Sequence, residues 1–322
     1  MNTKVTAQGL AVDAAEFLEF KRAMGMGYRR AEFVLNSFVR FVRERYGERP
    51  APLEEVVTLW AARIDGRKAI TVGNEFGVVR QLCLFRRRRE PRAFVPEHAV
   101  APVKESVFVP YILSREEVLA MVEAATRHEG RSMWGAMLRA LSLVLYCTGM
   151  RLGEATRLRM EDIDLRQRTL TVQRSKGRSR ILPIRDDLVV ELRRYARRRD
   201  EILAANGIAA SPAFFIRRNA TAFTLRAASD VLRRLLRDLG LKPPKGRAGA
   251  RPYEFRHAFA VHRLTEWATA GVDVHARLPM LSAYLGHVNV LGTEVYLKAT
   301  PELLQLASQR FEQHARGRRR AP

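Results

Sequence analysis

At 322 residues the chain has room for one large domain or two ordinary ones, and 47% hydrophobic with 28% charged residues describe a folded globular protein, not a disordered one. Its 57 Lys and Arg against 34 Asp and Glu leave a net charge of +23, which calls for an acidic partner, DNA ahead of an anionic membrane surface. The longest uncharged apolar stretch, Ala140 to Met150, is far short of the roughly 20 residues a spanning helix needs, so no membrane partner is expected.

The first seventeen residues carry no apolar core and no small-residue cleavage site, which predicts a cytoplasmic protein. From Ala14 to about Phe85 apolar residues such as Phe33, Val34, Phe38, Phe41 and Val42 recur at helical spacing, and Pro52 suits the first turn of a helix. This predicts a small helical domain over 1–97. Pro91, Pro96, Pro102 and Pro110 then interrupt the periodicity, giving a linker over 98–111. Ser114 to Glu117 has the form of a capping box before the amphipathic run Val118 to Ala125, so a second domain is expected over 112–315.

In that second domain the spacing predicts a helix from Trp134 to about Cys147, a break at Thr148-Gly149, and a short helix from Leu152 to Arg159. Alternating Thr169 to Gln173, a turn at Ser175 to Ser179 and a return strand from Arg180 to Ile184 predict a β-hairpin. Further helices are expected at Asp187 to Arg199, Leu225 to Leu239, Glu254 to Ala270, one ending near Leu285, and one from Pro301 to about His314, before a basic tail over 316–322. The fold class is therefore mainly α with a small antiparallel β-sheet. Cys83 and Cys147 lie in apolar helical segments and have too few partners for a disulfide framework or zinc cluster. No internal repeat is present.

Residues 1–110 hold 19 basic and 13 acidic side chains, and the remainder 38 and 21, so both parts are basic, by +6 and +17. Two basic domains on a proline-bearing linker suit a clamp around double-stranded DNA, where each phosphate neutralised releases counterions. The plainer reading is that arginine-rich faces such as Arg193, Arg194, Arg197, Arg198 and Arg199 are merely solvated, but the charge favours DNA binding over it.

Several residues are equipped for phosphate chemistry. Arg151, in Thr148-Gly-Met-Arg-Leu-Gly-Glu154, comes after a tight turn and precedes a helix, where a guanidinium and backbone donors can converge on a phosphate; Glu154 is in place to pair with it. Lys176 stands at the hairpin tip, from which an ammonium can enter a cleft or simply face water. Tyr253 and Arg256 share one face at a helix start, His287 comes directly after Leu285-Gly286, and Tyr296 is nine residues further on. By itself a tyrosine at helical spacing is more often a core residue than a nucleophile, and a lone histidine beside a glycine is commonly a cap.

Taken together, an Arg in a TGxRxGE box, a Lys on a following hairpin, an xxxR at a helix start, LGH and a Tyr nine residues on resemble the tyrosine recombinase (phage integrase) family over 112 to about 315. The preceding helical part resembles that family's core-binding (SAM-like) domain. The resemblance implies a two-domain DNA clamp and a site-specific recombinase or integrase, of a transposon or other mobile element, acting at the bacterial nucleoid. It implies Arg151, Lys176, Arg256, His287 and the nucleophile Tyr296 as catalytic residues, with Glu154 in support. It also implies a 3′-phosphotyrosyl intermediate and a homo-oligomer, a tetramer on DNA, with sister recombinases as a further kind of partner. The family pattern usually has His where Tyr253 stands, although other residues, Tyr and Lys among them, occur there in some members. The phenol can donate a hydrogen bond but cannot serve as an imidazole base near neutral pH, and Tyr253 is kept as a member of the catalytic site. No cofactor and no metal is expected: there is no two-metal acidic cluster and no GxxxxGK[ST] loop, and His257 and His262 are five apart, poor spacing for a helical metal pair. A type IB topoisomerase and an accessory DNA-binding protein that has lost activity are the alternatives. The stripe Leu303, Leu304, Leu306, Ala307 and Phe311 must be buried either on its own domain or, as the resemblance implies, on a neighbouring protomer.

Overall fold

The structure, a computed structural model, describes residues 4–62, 69–97, 111–127, 134–175, 178–246 and 248–298, together with Gln305 and Ser308. The expected linker (98–111, except Tyr111), the last helix (except Gln305 and Ser308), the basic tail and Lys176 therefore lie outside the described residues. The chain divides into two compact units, Met1–Phe108 and Val109–Pro322. Among the described residues no helix is long and apolar enough to cross a membrane.

In the first unit β1 (Lys4–Val5) pairs antiparallel with β2 (Ala51–Pro52), and four helices bear out the predicted periodicity: α1 (Ala7–Ala23), α2 (Arg29–Tyr46), α3 (Leu53–Ala62) and α4 (Ala69–Arg87). Thr6 caps α1 by accepting from the Gly9 amide at 3.0 Å. Pro52 lies just before α3, in β2, and so leaves that helix no missing donor. The core gathers Leu10, Val34, Phe38, Val42, Leu53, Val56, Trp60, Phe76 and Val79, with Phe38 and Trp60 edge to face at 5.3 Å. Phe33, which the periodicity counts with the apolar stripe of α2, points outward and is 70% exposed. The buried face of that helix is Ala31, Val34, Leu35, Phe38, Val39 and Val42, one position round from Phe33.

The second unit opens with α5 (Arg115–Arg127), whose capping box is formed as the sequence predicts: the Glu117 amide donates to Ser114 Oγ at 3.1 Å and the Ser114 amide to Glu117 Oε2 at 2.8 Å. Its central helix is α6 (Trp134–Thr148), which buries Met137, Leu138, Leu141, Val144 and Leu145 in the largest core. A four-residue helix, α7 (Leu152–Ala155), is all that forms of the predicted Leu152 to Arg159 helix. The chain beyond it is drawn off by a crossing segment, because the Phe214 amide donates to the Leu158 carbonyl at 2.9 Å and the Met160 amide to the Pro212 carbonyl at 3.0 Å.

The predicted hairpin is present as β4 (Thr169–Ser175) and β5 (Arg178–Pro183), and a short β3 (Ile163–Asp164) extends it to a three-stranded antiparallel sheet in the order β3-β4-β5. Leu170 faces Leu182 and Val172 faces Arg180 across β4 and β5. Then come α8 (Asp186–Ala205), α9 (Leu225–Asp238), α10 (Glu254–Thr269), α11 (Val274–Leu285) and α12 (Leu291–Glu294), which runs into a 3-10 turn over Val295–Lys298. Helix α8 outruns its predicted end at Arg199 because Ile202 and Leu203 are buried against Ile216 and Ala220. Arg199 is not solvated as its neighbours are: it is buried and donates to the Ser211 and Ala213 carbonyls at 2.5 and 3.0 Å.

Helix α10 is buried on two sides, giving Phe255 and Ala258 to the large core and Phe259, Val261 and Leu264 to a second cluster with Leu278, Leu281, Leu285 and Tyr296. It thereby fixes the end of α6, the end of α11 and the segment of Tyr296 around its own first turns.

Truncating Leu141, fully buried at the centre of α6, to Ala should cost about 2–5 kcal/mol in urea unfolding, through lost burial plus a cavity. Phe33→Ser should stay within about 0.5 kcal/mol, as for surface positions generally. A costly Phe33→Ser or a neutral Leu141→Ala would contradict this assignment of the two cores.

Candidate active site

Arg256 lies in the first turn of α10 and is 1% exposed. A buried guanidinium must be hydrogen-bonded, and here two carbonyls from distant segments do it: Nη1 donates to Gly149 at 2.7 Å and Nη2 to Leu285 at 2.9 Å. Burial and the neighbouring Arg151 charge pull its pKa below the ordinary value. Its Nε has no hydrogen-bond partner among the described residues. The turn at Gly149 that presents the carbonyl has φ +61°, and a Cβ there would meet Phe259 Cδ1 at 2.5 Å and Leu285 Cδ2 at 2.7 Å, so glycine is required on both counts.

Arg151 is the N-cap of α7, held extended with φ −69° and ψ 144°. Its Nη1 pairs with Glu154 Oε1 at 2.7 Å, its own amide donates to Glu154 Oε2 at 3.0 Å, and Nη2 reaches the Gly286 carbonyl at 3.4 Å. Glu154 is buried and meets a second arginine, Arg180 of β5, whose Nη2 donates to Oε2 at 2.8 Å. Arg151 and Arg256 are therefore bonded to adjacent carbonyls, Gly286 and Leu285, at the C-terminal end of α11, where Gly286 takes φ +70° and leads directly into His287.

His287 Nδ1 and the buried Thr293 hydroxyl share a 2.7 Å hydrogen bond, which ties the imidazole to α12. The Tyr296 ring stacks on it at 6.3 Å and 21°, and Tyr296 is 3% exposed. Burial raises the Tyr296 phenol above its ordinary value, and the Arg256 charge opposes that rise most among the neighbours. His257 packs edge-on between two tyrosines, 5.3 Å from the Tyr296 ring and 4.9 Å from the Tyr253 ring. Tyr253 stands at the rim, 41% exposed.

Arg151, Glu154, Arg256, His287 and Tyr296 are thus gathered around the ends of α6 and α11 and the start of α10, with Tyr253 beside them at the rim, its ring against His257. Two guanidiniums, an imidazole and a phenol at one place can bind a tetrahedral oxyanion and offer it a nucleophile. Sequence reasoning misses Arg180, Thr293 and His257 as neighbours of this site. For Arg180 a signal is available, since it occupies an inward-facing register position of the hairpin. His262, poorly spaced from His257 for a metal pair, instead bonds through Nδ1 to the Tyr146 hydroxyl at 2.9 Å.

His257 gives the site a measurable pH signature. Burial, aided by the charges of Arg251 and Arg256, depresses its pKa from 6.5 to about 4. In the unfolded chain the imidazole takes its proton near 6.5, but in the folded chain it stays neutral to about 4. Its contribution to stability is therefore complete above 6.5 and lost as pH falls towards 4. The His257 ring resonances should not titrate between about pH 5.5 and 8; a midpoint near the ordinary value of about 6.5 would contradict the burial.

The model of the "Phage integrase family" matches residues 112–302. The integrase/recombinase-class protein y4rB of Sinorhizobium fredii is 30% identical over 302 residues, 92% of this chain and 95% of that protein. Tyrosine recombinase XerA of Pyrococcus furiosus is 29% identical over 206 residues, 63% of this chain and 62% of that protein. Among solved structures, XerH site-specific recombinase bound to palindromic difH substrate aligns with a TM-score of 0.70 at 16% identity, covering 97% of this chain and 98% of that one. The Tn1549 transposon integrase in complex with transposon right end DNA gives 0.65 at 16% identity, with 96% and 100% covered. These two likenesses speak for the fold, mainly α with small antiparallel sheets, and the sequence matches for the kinship: the chain belongs to the phage integrase family, the tyrosine recombinases.

Proposed function

We propose that the chain is a site-specific DNA recombinase or integrase that cleaves and rejoins strands through a 3′-phosphotyrosyl intermediate on Tyr296, without metal or ATP. The observation that carries this reading is the attachment of Arg151 and Arg256 to adjacent carbonyls at the end of α11, beside His287 and the tyrosine stacked on it. A scissile phosphate seated there meets two guanidiniums whose positions are already fixed, so little reorganisation is needed as negative charge grows on its nonbridging oxygens. His287 holds one of those oxygens. Tyr296 gives up its phenolic proton to solvent as its Oη attacks phosphorus, the bond to the 5′ oxygen breaks, and Lys176 protonates that leaving oxygen. Because the phosphotyrosyl link retains the energy of the broken bond, attack by the 5′-hydroxyl of a partner strand rejoins DNA with no high-energy cofactor. Tyr253, at the rim, donates a hydrogen bond where an imidazole is usual in the family.

Affinity for double-stranded DNA comes from the positive charge of both units. Residues 1–97 act as the core-binding domain and 112–315 as the catalytic domain, closing around the duplex on the 98–111 linker, with 316–322 as a basic tail. On its exposed side α9 carries Arg226, Arg233, Arg234 and Arg237, a row suited to phosphate contacts. The working assembly is a tetramer on DNA.

A DNA substrate nicked next to the cleavage point traps the covalent intermediate and tests the reading. Tyr296→Phe should abolish the covalent adduct while leaving DNA binding nearly intact. Arg151→Ala and Arg256→Ala should each slow cleavage on the order of 100-fold or more, the scale of losing one charge-stabilising donor, and cleavage should persist in excess EDTA. An adduct surviving Tyr296→Phe, or a strict need for magnesium in the chemical step, would overturn the assignment.

A further inference from the structure

Along β5 the usual alternation is inverted at one place. Residues opposite each other in an antiparallel pair lie on the same face, so Arg180, opposite the buried Val172 and two residues from the buried Leu182, points inward, whereas Ile181 between them is turned out and mostly exposed. An inward charge on the core face of a sheet is costly unless every donor finds an acceptor, and a hydrocarbon side chain would fill that place more cheaply. The acceptors it finds are not in the sheet. Nε donates to the Tyr284 carbonyl at 2.9 Å, and Nη2 and Nη1 reach the Glu154 carboxylate at 2.8 and 3.4 Å.

These contacts fall on the segments that hold the candidate catalytic arginines. Glu154 is the carboxylate paired with Arg151, and Tyr284 lies on the last turn of α11, whose next two carbonyls receive Arg256 and Arg151. The fit to Gly286 is close: a Cβ there would meet the Arg180 guanidinium at 2.7–3.1 Å, so the chain entering His287 passes directly over that group. One side chain thus joins the hairpin, the helix start that carries Arg151 and the helix end that leads to His287.

We propose that Arg180 is a positioning residue for strand cleavage: through Glu154 it fixes the guanidinium of Arg151, and through the Tyr284 carbonyl it fixes the end of α11 relative to the hairpin on which the sequence places Lys176. This rests on the proposed function. It accounts for an arginine at a sheet position that packing alone assigns to an aliphatic residue, and for a single buried carboxylate shared by two arginines. Arg180 touches no DNA in this scheme; it acts through Arg151.

The test is single-turnover cleavage of the nicked substrate at saturating DNA by the full chain carrying Arg180→Gln or Arg180→Lys. Lysine keeps the charge but cannot reach the carbonyl and the carboxylate together. In both variants DNA affinity should stay within about threefold while the cleavage rate falls about 10–100-fold, the scale of a reacting group misplaced by about an ångström. Because the effect passes through Arg151, adding Arg180→Gln to Arg151→Lys should slow that variant less than about threefold further. Folding is followed by thermal denaturation, and if Arg180→Gln unfolds at the assay temperature, Arg180→Lys carries the test in the same cycle. Wild-type cleavage rates at saturating DNA, with only a lowered melting temperature, would reduce Arg180 to a packing role and overturn the proposal, as would full additivity with Arg151→Lys. Absence of cleavage by the wild-type chain is a different result and would strike the proposed function itself.

Discussion

The second unit depends on one buried charge. Arg256 has no carboxylate to neutralise it; its two Nη groups are spent on the main-chain carbonyls of Gly149 and Leu285. Those carbonyls belong to helix ends more than a hundred residues apart in the chain, and each is available because a helix stops there in a left-handed glycine, Gly149 after α6 and Gly286 after α11. The arginine therefore joins two helix termini that would otherwise present unsatisfied acceptors to the core, and α10, which carries it, is buried on both sides of the junction. The residues downstream of each glycine are placed as a consequence: Arg151 two residues after the first, His287 directly after the second.

The electrostatics of the cluster come from the same constraint. Arg151 and Arg180 share one buried carboxylate, Glu154, while Arg256 beside them is bonded only to carbonyls, so these three guanidiniums and their one carboxylate leave an excess of positive charge at a place where burial makes charge expensive. Under the proposed function the phosphate of the substrate supplies the missing negative charge, and its arrival offsets the burial and the Arg151 repulsion that together pull the Arg256 pKa down. Tyr296 is held in the same environment with opposing influences on its phenol, burial favouring the neutral form and the arginines the phenolate. His257, neutral and wedged between Tyr296 and Tyr253, adds ring contacts without adding a further positive charge.

Much of this is legible in the sequence wherever local chemistry decides the outcome. The capping box at Ser114, the break at Gly149, the hairpin and the starts of α9 and α10 all rest on residues within a few positions of one another, and the structure places them as the pattern predicts. The pairing of Arg151 with Glu154 is of the same kind. The failures have a common cause in contacts between distant segments. Helix α7 stops at Ala155 because residues 212–214 bond to the chain beyond it, α8 runs on because residues 216 and 220 cover its end, and Arg199 is buried by carbonyls of the loop after that helix. For Arg180 the sequence offers only an inward register position in a strand, and the acceptors that explain it lie 26 and 104 positions away. Tyr253 stands out because it departs from a family pattern, whereas the edge-on contact of its neighbour His257 with Tyr296 is not revealed by periodicity alone.

Under the proposed function the gathered arginines, histidine and tyrosine form a site in which Tyr296 becomes covalently joined to a DNA 3′ phosphate. Peptide mapping by mass spectrometry of the adduct trapped on a nicked duplex, formed by the wild-type chain in excess EDTA, tests it most directly. The expected product is a 3′-phosphonucleotide carried on the peptide that contains Tyr296 and on no other. An adduct on the exposed Tyr253 or on any other residue would contradict it.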